Sequence, residues 1–193
     1  MDLLILGAGG HGKVVKEVAE ATDRYNRIDF IDDSYDGSNP HVIGKLSDYK
    51  RFTSRFTHAF VAIGNSAIRN QWQVRLTTFR FSIPVLIHPD AYISPSAVID
   101  EGTVVMPKAV VQSNVKIGIG CIISAGAIID HDAVVGDYCH VNVRAVVAAA
   151  SRVPNGMKID YGDIWRGSTQ APVADKRLDN IQKSDFGTGV SYY

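Results

Sequence analysis

Residues 91–162 divide into twelve consecutive hexapeptides: AYISPS, AVIDEG, TVVMPK, AVVQSN, VKIGIG, CIISAG, AIIDHD, AVVGDY, CHVNVR, AVVAAA, SRVPNG and MKIDYG. The third position is always Ile or Val: Ile93, Ile99, Val105, Val111, Ile117, Ile123, Ile129, Val135, Val141, Val147, Val153 and Ile159. The first position is mostly Ala, otherwise Thr, Val, Cys, Ser or Met. Ile and Val make up about an eighth of an ordinary chain, so twelve in register do not arise by chance.

A period of six residues fits neither the 3.6 of a helix nor the 2 of a simple strand. It is typical of a hexapeptide solenoid, in which a β-branched residue fills the interior and a small residue beside it lets the wall turn. Cys121 and Cys139 both occupy first positions, in hexapeptides that are one full coil apart. We expect them to stack as small buried fillers rather than to serve as nucleophiles.

Residues 1–90 alternate between short apolar runs and helical segments. The predicted strands lie at 3–6, 27–31, 59–64 and 83–87, and the predicted helices follow Gly12 and cover 66–78. This alternation predicts a small parallel sheet with covering helices. Residues 163–193 lose the period, and we interpret them as a cap and C-terminal tail.

The composition excludes several classes of protein. Lys and Arg number 20, as do Asp and Glu, so the net charge is zero and does not favour nucleic-acid binding or a polybasic membrane surface. No apolar run approaches the roughly 20 residues that cross a bilayer, so we expect no membrane insertion. The beginning of the chain shows no signal peptide, and with two cysteines this favours the cytoplasm.

A glycine-rich segment, Gly7-Ala8-Gly9-Gly10-His11-Gly12, fits the G-x-G-x-x-G pattern between a strand and a helix. Glycines allow close backbone approach, and a helix N-terminus favours phosphate. Asp32 ends the next strand, where an acid can hold a ribose hydroxyl. The alternative is a tight turn without a ligand.

Two further segments carry polar side chains. Gly64, Asn65 and Arg69 follow the third strand. Asn65 is a candidate to hydrogen-bond a base or sugar, and Arg69 is a candidate to bind a phosphate. The alternative is that Asn65 caps a helix and Arg69 is solvated. His131, between Asp130 and Asp132 at a predicted solenoid corner, is a candidate general base. His131 and His140 have no obvious third metal ligand in the solenoid, so we expect no metal.

The whole chain resembles the PglD/NeuD-type sugar acetyltransferases, which are hexapeptide-repeat acyltransferases. Five segments carry the resemblance over residues 1 to about 150: GAGGHGKVV (7–15), FIDD (30–33), AIGNSAIR (62–69), LIHPDAYISPSAVI (86–99) and IIDHDAVVGDYCHVNV (128–143). The resemblance implies a small Rossmann-like domain (1–90), a left-handed parallel β-helix of about four coils (91–162), and a cap and tail (163–193).

The resemblance also implies an activity and residue roles. Acetyl-CoA would donate acetyl to an amino or hydroxyl group of a sugar, with a UDP-linked 4-amino-sugar favoured, by direct transfer between subunits of a homotrimer. His131 would be the general base and Asp132 would tune it. The nucleotide-sugar residues implied are Gly10, His11, Gly12, Asp32, Asp33, Gly64, Asn65 and Arg69. The acetyl-CoA residues implied are His140, Arg144, Trp165, Arg166 and Gly167.

The sequence departs from the family pattern at two positions. Ser124 stands where Asn is frequent, and Arg144 where Gly is usual. The repeat also stops about one coil early, in the region that normally lines the CoA site. These departures leave open a non-catalytic nucleotide-sugar-binding scaffold. A sialic acid O-acetyltransferase and a metal-dependent hydratase are further alternatives, which do not depend on the departures.

Overall fold

The computed structural model describes residues 1–167. The first part of the chain forms β1 (Asp2–Leu6), α1 (Gly10–Ala21), β2 (Arg27–Ile31), a 3-10 helix (Leu46–Phe52), β3 (His58–Val61) and α2 (Ser66–Thr78). The three strands are parallel, in the order β2-β1-β3. The predicted parallel sheet with covering helices is therefore confirmed, and the predicted helix over 66–78 has the observed bounds.

The rest of the described chain is a parallel β-solenoid of about four turns, built from two-residue strands. These are β4 (Leu86–Ile87), β5 (Tyr92–Ile93), β6 (Val98–Ile99), β7 (Val104–Val105), β8 (Val110–Val111), β9 (Lys116–Ile117), β10 (Ile122–Ile123), β11 (Ile128–Ile129), β12 (Val134–Val135), β13 (His140–Val141), β14 (Val146–Val147), β15 (Arg152–Val153), β16 (Lys158–Ile159) and β17 (Ile164–Trp165). Each strand comprises the second and third residues of a hexapeptide.

Three parallel sheets form the faces of this solenoid. Face 1 contains β4, β7, β10, β13 and β16; face 2 contains β5, β8, β11, β14 and β17; face 3 contains β6, β9, β12 and β15. Each strand pairs with the strand three hexapeptides away, so Ile123 lies between Val105 and Val141. The first and third positions from Val105 to Val147 are buried inside, including Cys121 and Cys139, which confirms the two predicted inward positions.

The solenoid extends beyond the predicted range at both ends. We predicted Ile83–Ile87 as a strand of the N-terminal sheet, and this is wrong: Leu86–Ile87 pairs with β7 on face 1. The period also continues past residue 162, because Ile164–Trp165 pairs with β14. Trp165 takes the inward third position and packs against the solenoid core. In the twelve hexapeptides of residues 91–162 this position is always Ile or Val.

Face 1 carries the N-terminal sheet and helix. The outward residues Leu86, Val104 and Ile122 are buried in one cluster with Ile5 of β1 and Val15 of α1. This apolar contact fixes the glycine-rich segment over face 1. The proposed division into domains at 90/91 and 162/163 stays a prediction, and of the predicted cap and tail, residues 168–193 lie outside the described part.

Candidate active site

His131 and Asp132 form a hydrogen-bonded pair on the corner between face 2 and face 3. His131 Nδ1 lies 2.8 Å from Asp132 Oδ2, and the two side chains are 60% and 52% exposed. Asp130 Oδ1 accepts a hydrogen bond from the His131 backbone N–H at 2.7 Å. With Nδ1 occupied, Nε2 is the imidazole nitrogen left to exchange a proton with a substrate.

The charge around His131 favours its protonated form. The hydrogen bond with Asp132 raises the pKa of His131, and the charges of Asp130 and Asp132 act in the same direction. The pKa of Asp132 is lowered, first by its hydrogen bond with His131 and then by one from Asn114. The pair therefore consists of a more basic imidazole beside a carboxylate that stays ionised, which is the arrangement of an oriented general base.

Asp132 has a left-handed backbone, with φ of 60°. The sixth hexapeptide position is left-handed at every corner from Gly102 to Gly162, and at six of these corners the residue is not glycine: Lys108, Asn114, Asp132, Tyr138, Arg144 and Ala150. Asp and Asn tolerate this conformation better than most residues. The position therefore aims the Asp132 side chain back at its neighbour His131, a consequence of the repeat that the sequence analysis missed.

The glycine-rich segment forms the turn from β1 into α1. Gly9 caps α1 without a side chain, and the first turn contains no acidic residue. A Cβ atom on Gly9 or Gly10 would have no neighbour within 4 Å, whereas one on Gly12 would lie 2.0 Å from the Gly7 carbonyl oxygen. Gly10 therefore borders open space at a helix N-terminus, and Gly12 serves the close packing of helix on strand.

Both predicted acidic residues, Asp32 and Asp33, accept hydrogen bonds from backbone N–H groups of the protein. Asp32 accepts hydrogen bonds from the backbone N–H groups of Ala8 and Ser34, each at 2.8 Å. Partial burial raises the pKa of Asp32, but the hydrogen bonds from Ser34 and Ala8 outweigh it and leave the pKa below its usual value. Asp33 accepts from the Leu46 N–H at 3.2 Å.

A cleft of about 460 Å³ opens beside Asp33. It is lined by aromatic and cationic residues, namely Tyr49, Trp72, Lys50 and Arg75, together with Leu46 and Ser47. Asp33 lies at its edge, so the cleft adjoins the carboxyl end of β2, where ligands dock in open parallel sheets.

In the structure, the predicted ligand residues after β3 make hydrogen bonds within the protein. Arg69 is 1% exposed, and its guanidinium donates to the carbonyl oxygens of Ile63 (2.8 Å), Gly64 (2.9 Å), Gly120 (2.7 Å) and Tyr138 (2.8 Å). These bonds join α2 to the corner between face 3 and face 1.

Asn65 acts as a helix cap. Its Oδ1 accepts from the Ile68 N–H at 3.0 Å, which is the alternative that the sequence analysis left open. Gly64 faces open space on its Cβ side, while its carbonyl oxygen is taken by Arg69.

His11 of α1 and His140 of face 1 are near enough for their charges to interact. Burial lowers the pKa of each to about 4; the charges of His140 and Arg69 add to the effect on His11, and those of Arg69 and Lys158 to the effect on His140. His140 Nε2 lies 3.1 Å from Ser124 Oγ, and His11 Nε2 is shielded from solvent with no hydrogen-bond partner among the described residues. Both rings are neutral at pH 7.

The residues implied for acetyl-CoA lie at separate places. Arg144 is exposed at a corner with φ of 60°, its Cγ 3.5 Å from where a Gly126 Cβ would stand. Trp165 donates from Nε1 to the Arg152 carbonyl at 2.8 Å and closes the solenoid core. Arg166 is exposed, and Gly167 packs against the Trp165 ring.

Within one chain these residues form two groups. His131 and Asp132 lie on the corner opposite face 1. His140 lies on face 1, His11 lies on the neighbouring α1, and Arg69 of α2 is bonded to the corner between face 3 and face 1. Among residues 1–167, no three His, Cys, Asp or Glu side chains come together as a metal site. The helices of the same region include none that is long and apolar enough to cross a membrane.

The PglD N-terminal domain family matches residues 2–76 of this chain. The acetyltransferase domain of PglB from Neisseria gonorrhoeae is 38% identical, with a TM-score of 0.80, and the match covers 86% of this chain and 82% of that one. The chain belongs to the PglD-type sugar acetyltransferases. Its solenoid is a left-handed parallel β-helix, as in these relatives, which confirms the predicted fold class.

The names and bound ligands of the relatives describe their chemistry. The Neisseria domain has also been solved in complex with acetyl coenzyme A. Perosamine N-acetyltransferase from Caulobacter crescentus, in a mutant form with CoA and GDP-perosamine, is 25% identical with a TM-score of 0.76, covering 88% of this chain and 90% of that one. UDP-N-acetylbacillosamine N-acetyltransferase of Bacillus subtilis is 34% identical over 111 residues, which are 54% of this chain and 51% of the relative.

Proposed function

We propose that this protein transfers an acetyl group from acetyl-CoA to the amino group of a nucleotide-linked sugar, with His131 as general base. The observation that carries the proposal is the His131–Asp132 pair, with Nδ1 held at 2.8 Å and most of the ring exposed. The acetyl-CoA complex of the Neisseria relative supports the donor, and the nucleotide-sugar complex of the Caulobacter relative supports the class of acceptor.

In the proposed reaction, the sugar amine attacks the thioester carbonyl carbon. The amine nitrogen gives a proton to Nε2 of His131 as its bond to carbon forms, and Asp132 stabilises the resulting imidazolium. The carbon–sulfur bond then breaks, and the departing sulfur takes the proton back from His131. Products are the acetamido sugar and CoA thiol, with no acyl-enzyme required.

The N-terminal sheet supplies the proposed nucleotide site. The open space at Gly9 and Gly10 lies at the N-terminus of α1, whose first turn has no acidic residue to oppose a phosphate. The cleft beside Asp33 offers aromatic edges to the base of a nucleotide and two cations to its phosphates. A uridine nucleotide is favoured by the Bacillus relative, whose name specifies a UDP-linked sugar.

The proposed active form is a homotrimer. His131 lies on the corner opposite its own glycine-rich segment, so a sugar held by one N-terminal sheet needs the His131 of a neighbouring subunit. Face 2 presents an outward apolar row that suits such packing: Tyr92, Val110, Ile128, Val146 and Ile164. Tyr92 is 55% and Ile164 48% exposed in the isolated chain. The predicted cytoplasmic location stays a prediction.

The function is tested by an acetyl-transfer assay with acetyl-CoA and a UDP-4-amino-sugar, in which the released CoA thiol is measured. We expect His131→Gln to lower kcat by about 10²–10⁴-fold, the usual contribution of a general base, and to leave the oligomer intact. His41→Gln, at an exposed histidine of the N-terminal part, is the matched control and should retain wild-type kcat. Full activity of His131→Gln would refute the mechanism.

Calorimetry combined with the same assay separates the enzyme from a binding protein that has kept the fold. Arg144, an exposed cation at a left-handed corner where the family pattern has glycine, is the feature that favours the second function. Calorimetry that detects UDP-sugar binding, but no binding of acetyl-CoA at millimolar concentration and no CoA release, would support the scaffold.

The trimer is tested by light scattering on a sizing column. Ile128→Asp places a charge in the middle of the face 2 row, and we expect it to yield monomers and to lose acetyl transfer. Val74→Asp, at a 57% exposed position of α2, should stay trimeric. A trimeric Ile128→Asp variant would show that face 2 is not the interface.

A further inference from the structure

We propose that Asn114 is a positioning residue that holds the Asp132 carboxylate against His131. The proposal rests on the proposed function, because it concerns the orientation of the general base. Asn114 precedes Asp132 by one full coil, so the two occupy the same corner in neighbouring coils. Asn114 Nδ2 donates to Asp132 Oδ1 at 3.0 Å, while Asp132 Oδ2 pairs with His131 Nδ1 at 2.8 Å.

Both residues have the left-handed backbone of the sixth hexapeptide position, with φ of 60° each. The repeat therefore places their side chains in the same orientation, stacked about one strand spacing apart, or roughly 4.8 Å. Asn tolerates this backbone and carries a short amide donor, which reaches the Asp132 carboxylate at 3.0 Å.

Asn114 is itself held by the preceding coil. Its backbone N–H donates to Ser96 Oγ at 2.9 Å, and Ser96 Oγ lies 3.1 Å from Ser94 Oγ. Hydrogen bonds thus run along this corner from Ser96 through Asn114 and Asp132 to His131. Within residues 1–167, Asn114 and His131 are the side chains that bond to the Asp132 carboxylate.

The carboxylate needs this second contact because it is exposed. Asp132 is 52% exposed, and a solvated side chain on one hydrogen bond samples other rotamers. A bond to each oxygen restricts the carboxylate to the rotamer that faces Nδ1. A neutral amide does so without cancelling the negative charge, whereas a lysine at position 114 would compete with His131 for it.

The coil on the other side offers no such contact. Ala150 occupies the sixth position there, and its backbone N–H donates to the His131 carbonyl at 2.9 Å. The charged groups that act on His131 from its own corner are Asp130 and Asp132. Orientation of the imidazole by a fixed carboxylate therefore depends on the coil that contains Asn114.

The proposal is tested with Asn114→Gly and Asn114→Asp in the acetyl-transfer assay. Asn114→Gly removes the amide and suits the left-handed backbone, so a loss of activity does not come from strain. We expect kcat to fall about tenfold, a fraction of the general-base contribution, with KM for both substrates unchanged within about twofold. Lys108→Gly, at the sixth position of another corner with φ of 62°, is the control and should keep wild-type kcat.

The pKa of His131, followed by NMR titration of labelled histidine, gives a readout that a merely structural role would not move. We expect it to fall in Asn114→Gly, because Asp132 is less often paired with the ring. It should rise in Asn114→Asp, since a second carboxylate favours imidazolium. The acidic limb of the kcat profile should move in the same directions.

Failure of this inference is distinguishable from failure of the proposed function. If wild type is active and His131→Gln is not, but Asn114→Gly keeps both wild-type kcat and the wild-type pKa of His131, only the role of Asn114 is overturned. If Asn114→Gly lowers kcat without lowering that pKa, Asn114 does not act through Asp132. If His131→Gln is fully active, the general base is wrong and the NMR titration alone decides whether Asn114 orients the pair.

Discussion

Replacing Arg69 by methionine should loosen the N-terminal sheet from the solenoid. The Arg69 side chain is 1% exposed and donates four hydrogen bonds, two to carbonyls at the end of β3 and two to carbonyls at solenoid corners. Methionine fills a similar space but donates nothing. The carbonyls of Ile63, Gly64, Gly120 and Tyr138 would then lose a partner at the junction.

The expected loss of stability follows from two opposing effects. A buried acceptor left without a donor costs about 1–3 kcal/mol, and four are affected. Removing the guanidinium also removes the cost of burying a charge, which offsets part of that loss. We therefore expect the free energy of unfolding to fall by about 3–5 kcal/mol, near the low end of the summed cost of four unsatisfied acceptors. For a chain of this length the melting temperature should fall by roughly 6–20 °C.

Calorimetry at a fixed protein concentration measures this change. Arg75→Met is the matched control, because Arg75 lies exposed on the same helix with its guanidinium 4.7 Å from the centre of the Trp72 ring. That contact contributes about 0.5–1 kcal/mol, so the control should melt within a few degrees of wild type. A melting temperature of Arg69→Met that equals the control's would refute the idea that Arg69 joins the two parts.

Two further predictions concern α1 and the buried histidines beside face 1. Gly12→Ala should lower the free energy of unfolding by about 2–3 kcal/mol in urea titrations, because its Cβ would lie 2.0 Å from the Gly7 carbonyl oxygen. Gly10→Ala is the control: its Cβ would have nothing within 4 Å, so stability should be unchanged while KM for the nucleotide sugar rises. Equal stability of the two variants would contradict this reasoning. In the folded protein the pKa of His11 and of His140 is about 4, below the ordinary 6.5, so the unfolded chain binds more protons between these values. The contribution of these two histidines to stability should therefore be constant above pH 7 and fall as the pH drops from 6.5 to 4. A urea midpoint that stays constant over that range would disprove this prediction.

Local patterns were enough to predict most of the fold. The hexapeptide register placed Ile123 and Cys121 inside the solenoid, because the inward positions of a repeat must be apolar in every coil. The glycine-rich turn and the helix over 66–78 were likewise found where local signals place them. At the ends the same signals failed: Leu86–Ile87 precedes the pattern that we counted, and Trp165 replaces the expected β-branched residue.

The candidate site was only partly predictable. His131 and Asp132 are adjacent in sequence, so their pairing follows from the corner on which they lie. The surroundings of Arg69 were not predictable, because a cation after a strand is typical of both a ligand contact and a buried hydrogen-bond donor. Asn114 was missed, although it stands one coil before Asp132 in the same sixth hexapeptide column, a signal that a search by column would find.

The sequence by itself determined what repeats and what is local: the solenoid, its inward residues, the strand–turn–helix at Gly7–Gly12 and the His131–Asp132 pair. Tertiary structure alone decided which distant residues meet: Arg69 with two solenoid corners, His11 with His140, and Asn114 with Asp132. The reason is physical. A side chain's burial and hydrogen-bond partners depend on packing between elements, and one sequence pattern is compatible with several such environments until the chain has folded.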